Sequence, residues 1–154
     1  MTVQPIPDGY TSVTPYLIVN DAARALDYYK MAFDAEELMR FEASDGRIAH
    51  AELQIGNARI MLADEMAGHK SAKTLGGSPV GLMLYVDKVD ETFERARSGG
   101  GTVLQPVTNQ FYGDRSGTLT DPFGHIWTIA THVEDVAPEE MQRRMEAAKT
   151  TYAE

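Results

Sequence analysis

The sequence of 154 residues contains no cysteine. Disulfides, thiolate metal ligands and a cysteine nucleophile are therefore excluded. No apolar run approaches the roughly 18 residues of a membrane-spanning helix. The amino terminus MTVQPIPDGY has neither the basic nor the apolar region of a secretory signal. These absences favour a cytoplasmic protein with no membrane partner.

Basic residues are also scarce, since 14 Lys and Arg stand against 23 Asp and Glu, which gives a net charge of −9. Nucleic-acid phosphates are bound mainly by clustered Lys and Arg, so we expect no nucleic-acid partner. The negative field favours neutral or cationic ligands. The sequence also has no glycine-rich phosphate-binding motif and no GxSxG or HExxH motif.

The composition that is present, 43% hydrophobic and 24% charged residues, is that of one globular domain spanning residues 1–154. Hydrophobic alternation predicts strands, and apolar residues at helical spacing predict helices. In the first half this pattern predicts a strand, a helix and three strands, at 12–19, 22–33, 37–43, 47–55 and 58–64. The second half repeats the order at 80–87, 89–98, 102–108, 115–120 and 125–132.

The two halves match at a near-constant offset. Val19 and Val86 are 67 residues apart, and Gly56 and Gly124 are 68 apart. Such an offset across a whole module indicates an internal repeat. The sequence therefore predicts an α+β fold of two βαβββ modules. They lie at about 10–64 and 79–133, with a linker at 65–78 and a carboxyl-terminal helix at 138–149.

Four segments carry a family resemblance: TPYLIVNDAARALDYYKMAF, IAHAELQIGNARIMLAD, FYGDRSGTLTDPFGHIWTIATHVEDV and PEEMQRRM. Together they resemble the PhnB-like branch of the vicinal oxygen chelate superfamily, which includes glyoxalase I, bleomycin-resistance proteins and extradiol dioxygenases. The resemblance covers roughly residues 10–149. It implies mixed sheets that curl around a small-molecule cup, usually completed in a homodimer.

Strand alternation then assigns side chains to the cup or to the helices. Val13 and Ala49 are among those assigned to the helix side, and Trp127 is assigned to the core or a dimer interface. His132 is expected near the rim. The cup-facing residues that we expect to bind a ligand are Thr14, Tyr16, Met61, Met83, Tyr85 and Thr128.

In metal-dependent relatives, His, Gln or Glu occupy four positions on the first and last strands of the modules. The resemblance aligns these positions with Thr14, Met61, Gly81 and Thr128, or with Ile60 instead of Met61 if the turn differs by one residue. None of these side chains is a good ligand for a divalent ion. We therefore expect no metal cofactor, although His50 and Glu52 on one strand offer an alternative site.

His50 and Glu52 are the candidate catalytic residues, as general base and orienting carboxylate. The alternative is structural: His50 hydrogen-bonds within the cup and Glu52 pairs with an arginine. The resemblance places Tyr112, Asp114 and Arg115 at the cup mouth. There Arg115 would bind a carboxylate or phosphate beside a stacking Tyr112, or an Asp114–Arg115 pair would fix the loop.

The leading functional hypothesis is a protein that binds a small organic molecule in a metal-free cup. The alternative is a metal-dependent isomerase, lyase or dioxygenase that uses His50 and Glu52. A third hypothesis is an interaction module whose cup is vestigial.

Overall fold

The computed structural model describes residues 2–152 and contains two four-stranded sheets. The first module comprises β1 (Tyr16–Val19), α1 (Ala22–Phe33), β2 (Glu36–Glu42), β3 (Ile48–Ile55) and β4 (Ala58–Asp64). A short helix α2 (Ala72–Leu75) follows. The second module comprises β5 (Gly81–Tyr85), α3 (Val89–Ser98), β6 (Thr102–Asn109), β7 (Asp114–Thr120) and β8 (Ile126–His132). The last element is α4 (Pro138–Tyr152).

The two sheets have the same topology, with strand orders β1-β4-β3-β2 and β5-β8-β7-β6. In each sheet the first and last strands of the module pair in parallel, and the other pairs are antiparallel. This repeat confirms the predicted α+β fold of two βαβββ modules and a carboxyl-terminal helix. In the part of the chain that is described, no helix has the length and apolar character needed to cross a membrane.

The core lies between the two sheets and includes α1 and α3. Apolar residues at helical spacing bury one face of α1, among them Leu26 and Tyr29. Phe33 at the end of α1 reaches the second sheet, where its ring lies 4.6 Å from that of Trp127. Trp127 is buried, so of its two predicted places, the core and a dimer interface, it occupies the core. Since both sheets turn their inner faces to this one core, their outer faces point in opposite directions.

A buried carboxylate links the two modules. Asp121, in the turn between β7 and β8, is 2% exposed. It accepts hydrogen bonds from the Tyr29 hydroxyl of the first module and from Trp127 Nε1 at 2.9 Å. The backbone N–H groups of Phe123 and His125 donate to the same carboxylate at 2.9 and 3.0 Å. Three donors of the second module therefore fix the DPFG turn, and the Tyr29 hydroxyl joins it to α1.

The structure corrects several predicted boundaries. Strand β1 begins at Tyr16 rather than at residue 12, because Pro15 has no N–H group to donate to a neighbouring strand. Val13 is consequently exposed and does not face the helices. The predicted linker at 65–78 contains a bridge between Met66 and His69 and the helix α2.

Ala49 is a further correction, because the pairing of β2 with β3 shifts register there. Phe41 pairs with His50, but Glu42 pairs with Ile48, so Ala49 is an extra residue in a bulge. Ile48 is buried and His50 is half-buried. Ala49 therefore lies on the outer side of the first sheet instead of facing the helices.

Candidate functional site

The outer face of the first sheet brings together four of the predicted site residues. Met61 on β4 pairs with Tyr16 on β1 and with Glu52 on β3, so the three side chains share one face. His50 lies two residues before Glu52 on the same side. We call this surface the first outer face. It also includes Phe41, the pairing partner of His50.

On the first outer face, Tyr16, His50 and Glu52 form a hydrogen-bonded cluster. The Tyr16 oxygen lies 2.8 Å from Nδ1 of His50, and Nε2 of His50 lies 3.3 Å from Oε2 of Glu52. Since an ionised carboxylate only accepts, Nε2 donates to Glu52, and in the neutral imidazole Nδ1 accepts the Tyr16 proton. Burial raises the pKa of Tyr16 above its ordinary value. Glu52 pairs with His50 here, and not with an arginine.

A pocket of about 350 Å³ lies beside this cluster. Its lining is mostly apolar and comprises Tyr16, Ile18, Ala49, Ala63, Asp64, Met66 and His69. Sequence reasoning missed Ala49 because the bulge reverses strand alternation. It also missed Met66 and His69, since the Met66–His69 turn lies in the segment taken as a linker.

The outer face of the second sheet contains Met83, Tyr85 and Thr128. Met83 pairs with Thr128 across β5 and β8, which places both side chains on one face, the second outer face. Thr128 shares a hydrogen bond of 2.9 Å with Thr118 on β7. Met83 and Tyr85 are at least half exposed in the single chain.

A second cluster lies on the second outer face and consists of Tyr85, Asp114, His132 and Asp135. The buried carboxylate of Asp114 accepts from the Tyr85 hydroxyl at 2.7 Å and from Nδ1 of His132 at 2.8 Å. Nε2 of His132 donates to Asp135 at 2.8 Å. The hydrogen bond to Asp114, reinforced by Asp135, raises the pKa of His132 above its ordinary value. The hydrogen bond to Asp114 also raises the pKa of Tyr85.

Arg115 does not join this cluster. Its guanidinium binds both carboxylate oxygens of Asp90 on α3, each at 2.9 Å, which raises the pKa of Arg115. Asp114 faces His132 instead, so the Asp114–Arg115 pair, one of the two alternatives for this loop, is not formed. Tyr112 lies in the loop before β7, half-buried, with its ring 5.2 Å from that of Phe111.

The four family metal positions do not fit a metal ion. Met61 and Thr128 lie on the two outer faces, Thr128 bonded to Thr118. Gly81 has no side chain, and Thr14 lies before β1, ahead of Pro15. A threonine hydroxyl and a methionine thioether are poor ligands for hard or borderline divalent ions. Within residues 2–152, no three His, Asp or Glu side chains are grouped as metal ligands.

Comparison with known proteins places the chain in a family. The sequence model of the Glyoxalase/Bleomycin resistance protein/Dioxygenase superfamily matches residues 10–129. The chain belongs to this superfamily. A Mycobacterium bovis relative, the uncharacterized protein Mb0911c, is 43% identical over 139 residues, which are 87% of this chain and 91% of the relative.

Solved structures agree with this membership of the superfamily. TioX from Micromonospora sp. ML1 is 27% identical, with a TM-score of 0.62, over 80% of this chain and 99% of that protein. The PhnB protein from Bacillus cereus has a TM-score of 0.65 at 19% identity, over 79% of this chain and 99% of that protein. The second similarity is one of fold, and the PhnB-like resemblance of the sequence is consistent with it.

His132 is the main site residue missing from the predicted set. The sequence places it only near the rim, at the end of a strand, because nothing in its spacing indicates a buried carboxylate partner. The register of β7 and β8 makes Asp114 and His132 direct cross-strand partners. The usable signal was alternation along β8, which places His132 on the same side as Thr128.

Proposed function

We propose that this protein binds a small organic molecule without a metal ion. The molecule would lie in a cup formed by one first outer face and one second outer face. The observation that carries the proposal is the pair of Tyr–His–carboxylate clusters, one on each outer face. Around them lie apolar side chains and a mostly apolar pocket. A few convergent polar groups in an apolar lining are typical of small-molecule sites.

A second copy of the chain would complete this cup. The two outer faces of one chain point away from each other, so neither is covered. Large side chains on both are well exposed, including Tyr16, Phe41, Met83 and Tyr85. The edge strands β1 and β5 contain no charged residue to oppose pairing with another chain, and of the β1 edge the Ile18 carbonyl accepts from Nε2 of His125. We therefore propose a homodimer in which the first outer face of one copy meets the second outer face of its partner.

The dimer is tested by light scattering at micromolar concentration, where we expect a particle of twice the 17.0 kDa chain mass. Val80→Lys adds a charge directly before β5, at a side chain that is 64% exposed. We expect this variant to be a folded monomer. Leu75→Lys on α2, where the side chain is 67% exposed, is the matched control and should remain dimeric. A wild-type particle of 17.0 kDa would contradict the proposal.

Binding is tested by thermal-shift measurements against a panel of amphipathic small molecules, followed by native mass spectrometry. We expect a ligand that stabilises wild type and Leu75→Lys but not monomeric Val80→Lys. Elemental analysis of untagged protein, purified without a chelator, should find no stoichiometric metal. About one equivalent of Zn, Ni, Mn or Fe per chain would overturn the metal-free site.

Catalysis at the Tyr16–His50–Glu52 cluster is the second candidate function. The observation in its favour is the hydrogen-bonded chain from Tyr16 through His50 to Glu52, an arrangement that serves general base catalysis. His50→Ala separates the two functions once a ligand is known. Binding without conversion in wild type, weakened but not replaced by any turnover in His50→Ala, supports the binding protein. Conversion by wild type that His50→Ala abolishes supports the enzyme.

A further inference from the structure

The imidazole of His132 has one nitrogen fixed by a buried group and the other held by an exposed one. His132 ends β8, and its side chain is about half exposed. It lines an open groove of about 450 Å³ together with Tyr85, Val86, Asp87 and Thr131. The two nitrogens of the ring therefore have very different surroundings.

The Nδ1 side is rigid. Asp114 is 4% exposed, and its two oxygens are occupied by Nδ1 of His132 and the Tyr85 hydroxyl. Asp114 and His132 are direct partners in the β7–β8 ladder, so the sheet sets their separation. A buried carboxylate that holds one imidazole nitrogen orients the other nitrogen and favours the ring as a donor.

The Nε2 side is held by a group that is easily displaced. Asp135 accepts from Nε2 at 2.8 Å, yet its side chain is fully exposed. It lies between β8 and α4, in a segment without helix or strand. Exposed ion pairs of this kind shift an equilibrium by at most about fivefold. Another acceptor that reaches Nε2 can therefore replace Asp135.

We propose that Nε2 of His132 is the ligand's hydrogen-bond donor on the second outer face, and that Asp135 occupies this position until a ligand oxygen displaces it. This rests on the small-molecule function proposed above. The bound ligand would present an acceptor oxygen, either a carboxylate or a neutral carbonyl, on an apolar body. Asp114 is then a positioning residue that orients the imidazole through Nδ1.

The local charges are compatible with either kind of oxygen. A ligand carboxylate that replaces the Asp135 carboxylate leaves the charge beside His132 unchanged, despite the overall charge of −9. Asp87 also borders the groove and repels anions. It therefore disfavours an anionic ligand that does not take the place of the Asp135 carboxylate. A ligand whose head group only donates hydrogen bonds has no acceptor for Nε2.

The experiment uses the full chain with isotope-labelled histidine and follows its imidazole signals by NMR. The probes are benzoate, benzamide and benzylamine, which share one ring but differ in head group. We expect benzoate or benzamide to shift the Nε2 signal of His132 and benzylamine to leave it unchanged. Asp135→Ala should bind the active probe two- to fivefold more tightly than wild type. Glu94→Ala removes an exposed carboxylate on α3 and should change nothing.

His132→Ala should weaken binding of the active probe at least tenfold, measured by calorimetry on protein whose fold is verified by circular dichroism. Asp114→Asn, which retains His132 but changes its orienting partner, should weaken it as well. Equal affinities of Asp135→Ala, His132→Ala and wild type would overturn the inference while leaving the binding function intact. If none of the three probes shifts a histidine signal on either outer face, the result would count against both the His132 inference and the proposed binding function.

Discussion

Replacing Asp121 by asparagine should destabilise the whole fold, because this carboxylate joins the modules. Its two oxygens accept from Tyr29, Trp127 and two backbone N–H groups, in a place that is 2% exposed. Asparagine has one acceptor oxygen and places an NH₂ group where the other oxygen was. If the oxygen keeps the backbone donors, the Trp127 N–H faces another donor and loses its partner.

The magnitude follows from this loss. A buried donor without a partner costs about 1–3 kcal/mol, and hydrogen bonds to a charged acceptor contribute about 1.5–3 kcal/mol against roughly 1 for neutral ones. We therefore expect Asp121→Asn to lower the free energy of unfolding by about 3 kcal/mol. For a chain of this length, that lowers Tm by about 6–12 °C.

The assay is urea unfolding followed by tryptophan fluorescence. The sequence has a single tryptophan, Trp127, and its indole N–H donates a hydrogen bond to Asp121. Tyr29→Phe removes one donor and should cost about 1–2 kcal/mol in wild type. It should cost less in the Asp121→Asn background, because its partner is already altered. Glu94→Gln at an exposed ion pair should cost under about 0.5 kcal/mol. A loss below about 1 kcal/mol for Asp121→Asn would refute the reasoning.

Two variants should change the pH dependence of stability in opposite directions. Hydrogen bonds to Asp114 and Asp135 raise the pKa of folded His132, so its contribution is full below the unfolded value of about 6.5 and is lost as pH rises through the folded value. The stability gap between wild type and His132→Gln should therefore close in alkaline buffer, and a gap that widens there would contradict the assignment. The Ser71 hydroxyl and backbone lower the pKa of Glu65 from 4.5 to about 2. In acid titrations wild type should lose its advantage over Glu65→Gln between these two pH values, and parallel curves would show that the contact is not formed.

The two modules could be predicted from the sequence because they depend on local order. Helix α1 follows from an Asp21 side chain that accepts from Arg24 N and from apolar residues at helical spacing. The DPFG turn predicts the β7–β8 connection, and the repeat offset predicts the second module from the first. Strand alternation also placed Tyr16, His50 and Glu52 on one face, since side chains in a regular strand alternate, and the family resemblance added Met61.

The parts that the sequence could not supply depend on register and on contacts between distant residues. The bulge at Ala49 reverses alternation, and it is visible only when β2 pairs with β3. The partners of Asp114 and Arg115 are another case. Adjacent residues on β7 face opposite sides, so Asp114 meets His132 and Arg115 meets Asp90.

The sequence by itself determined the fold, the repeat and the poor donor set at the four family metal positions. These properties depend on residue identity and on periodicity along the chain. Only the tertiary structure decided that the outer faces of the two sheets point apart, because packing α1 and α3 between them leaves each face uncovered. It also decided that a tyrosine, a histidine and a carboxylate meet on each face, since strand pairing and not sequence distance brings these groups within hydrogen-bonding reach.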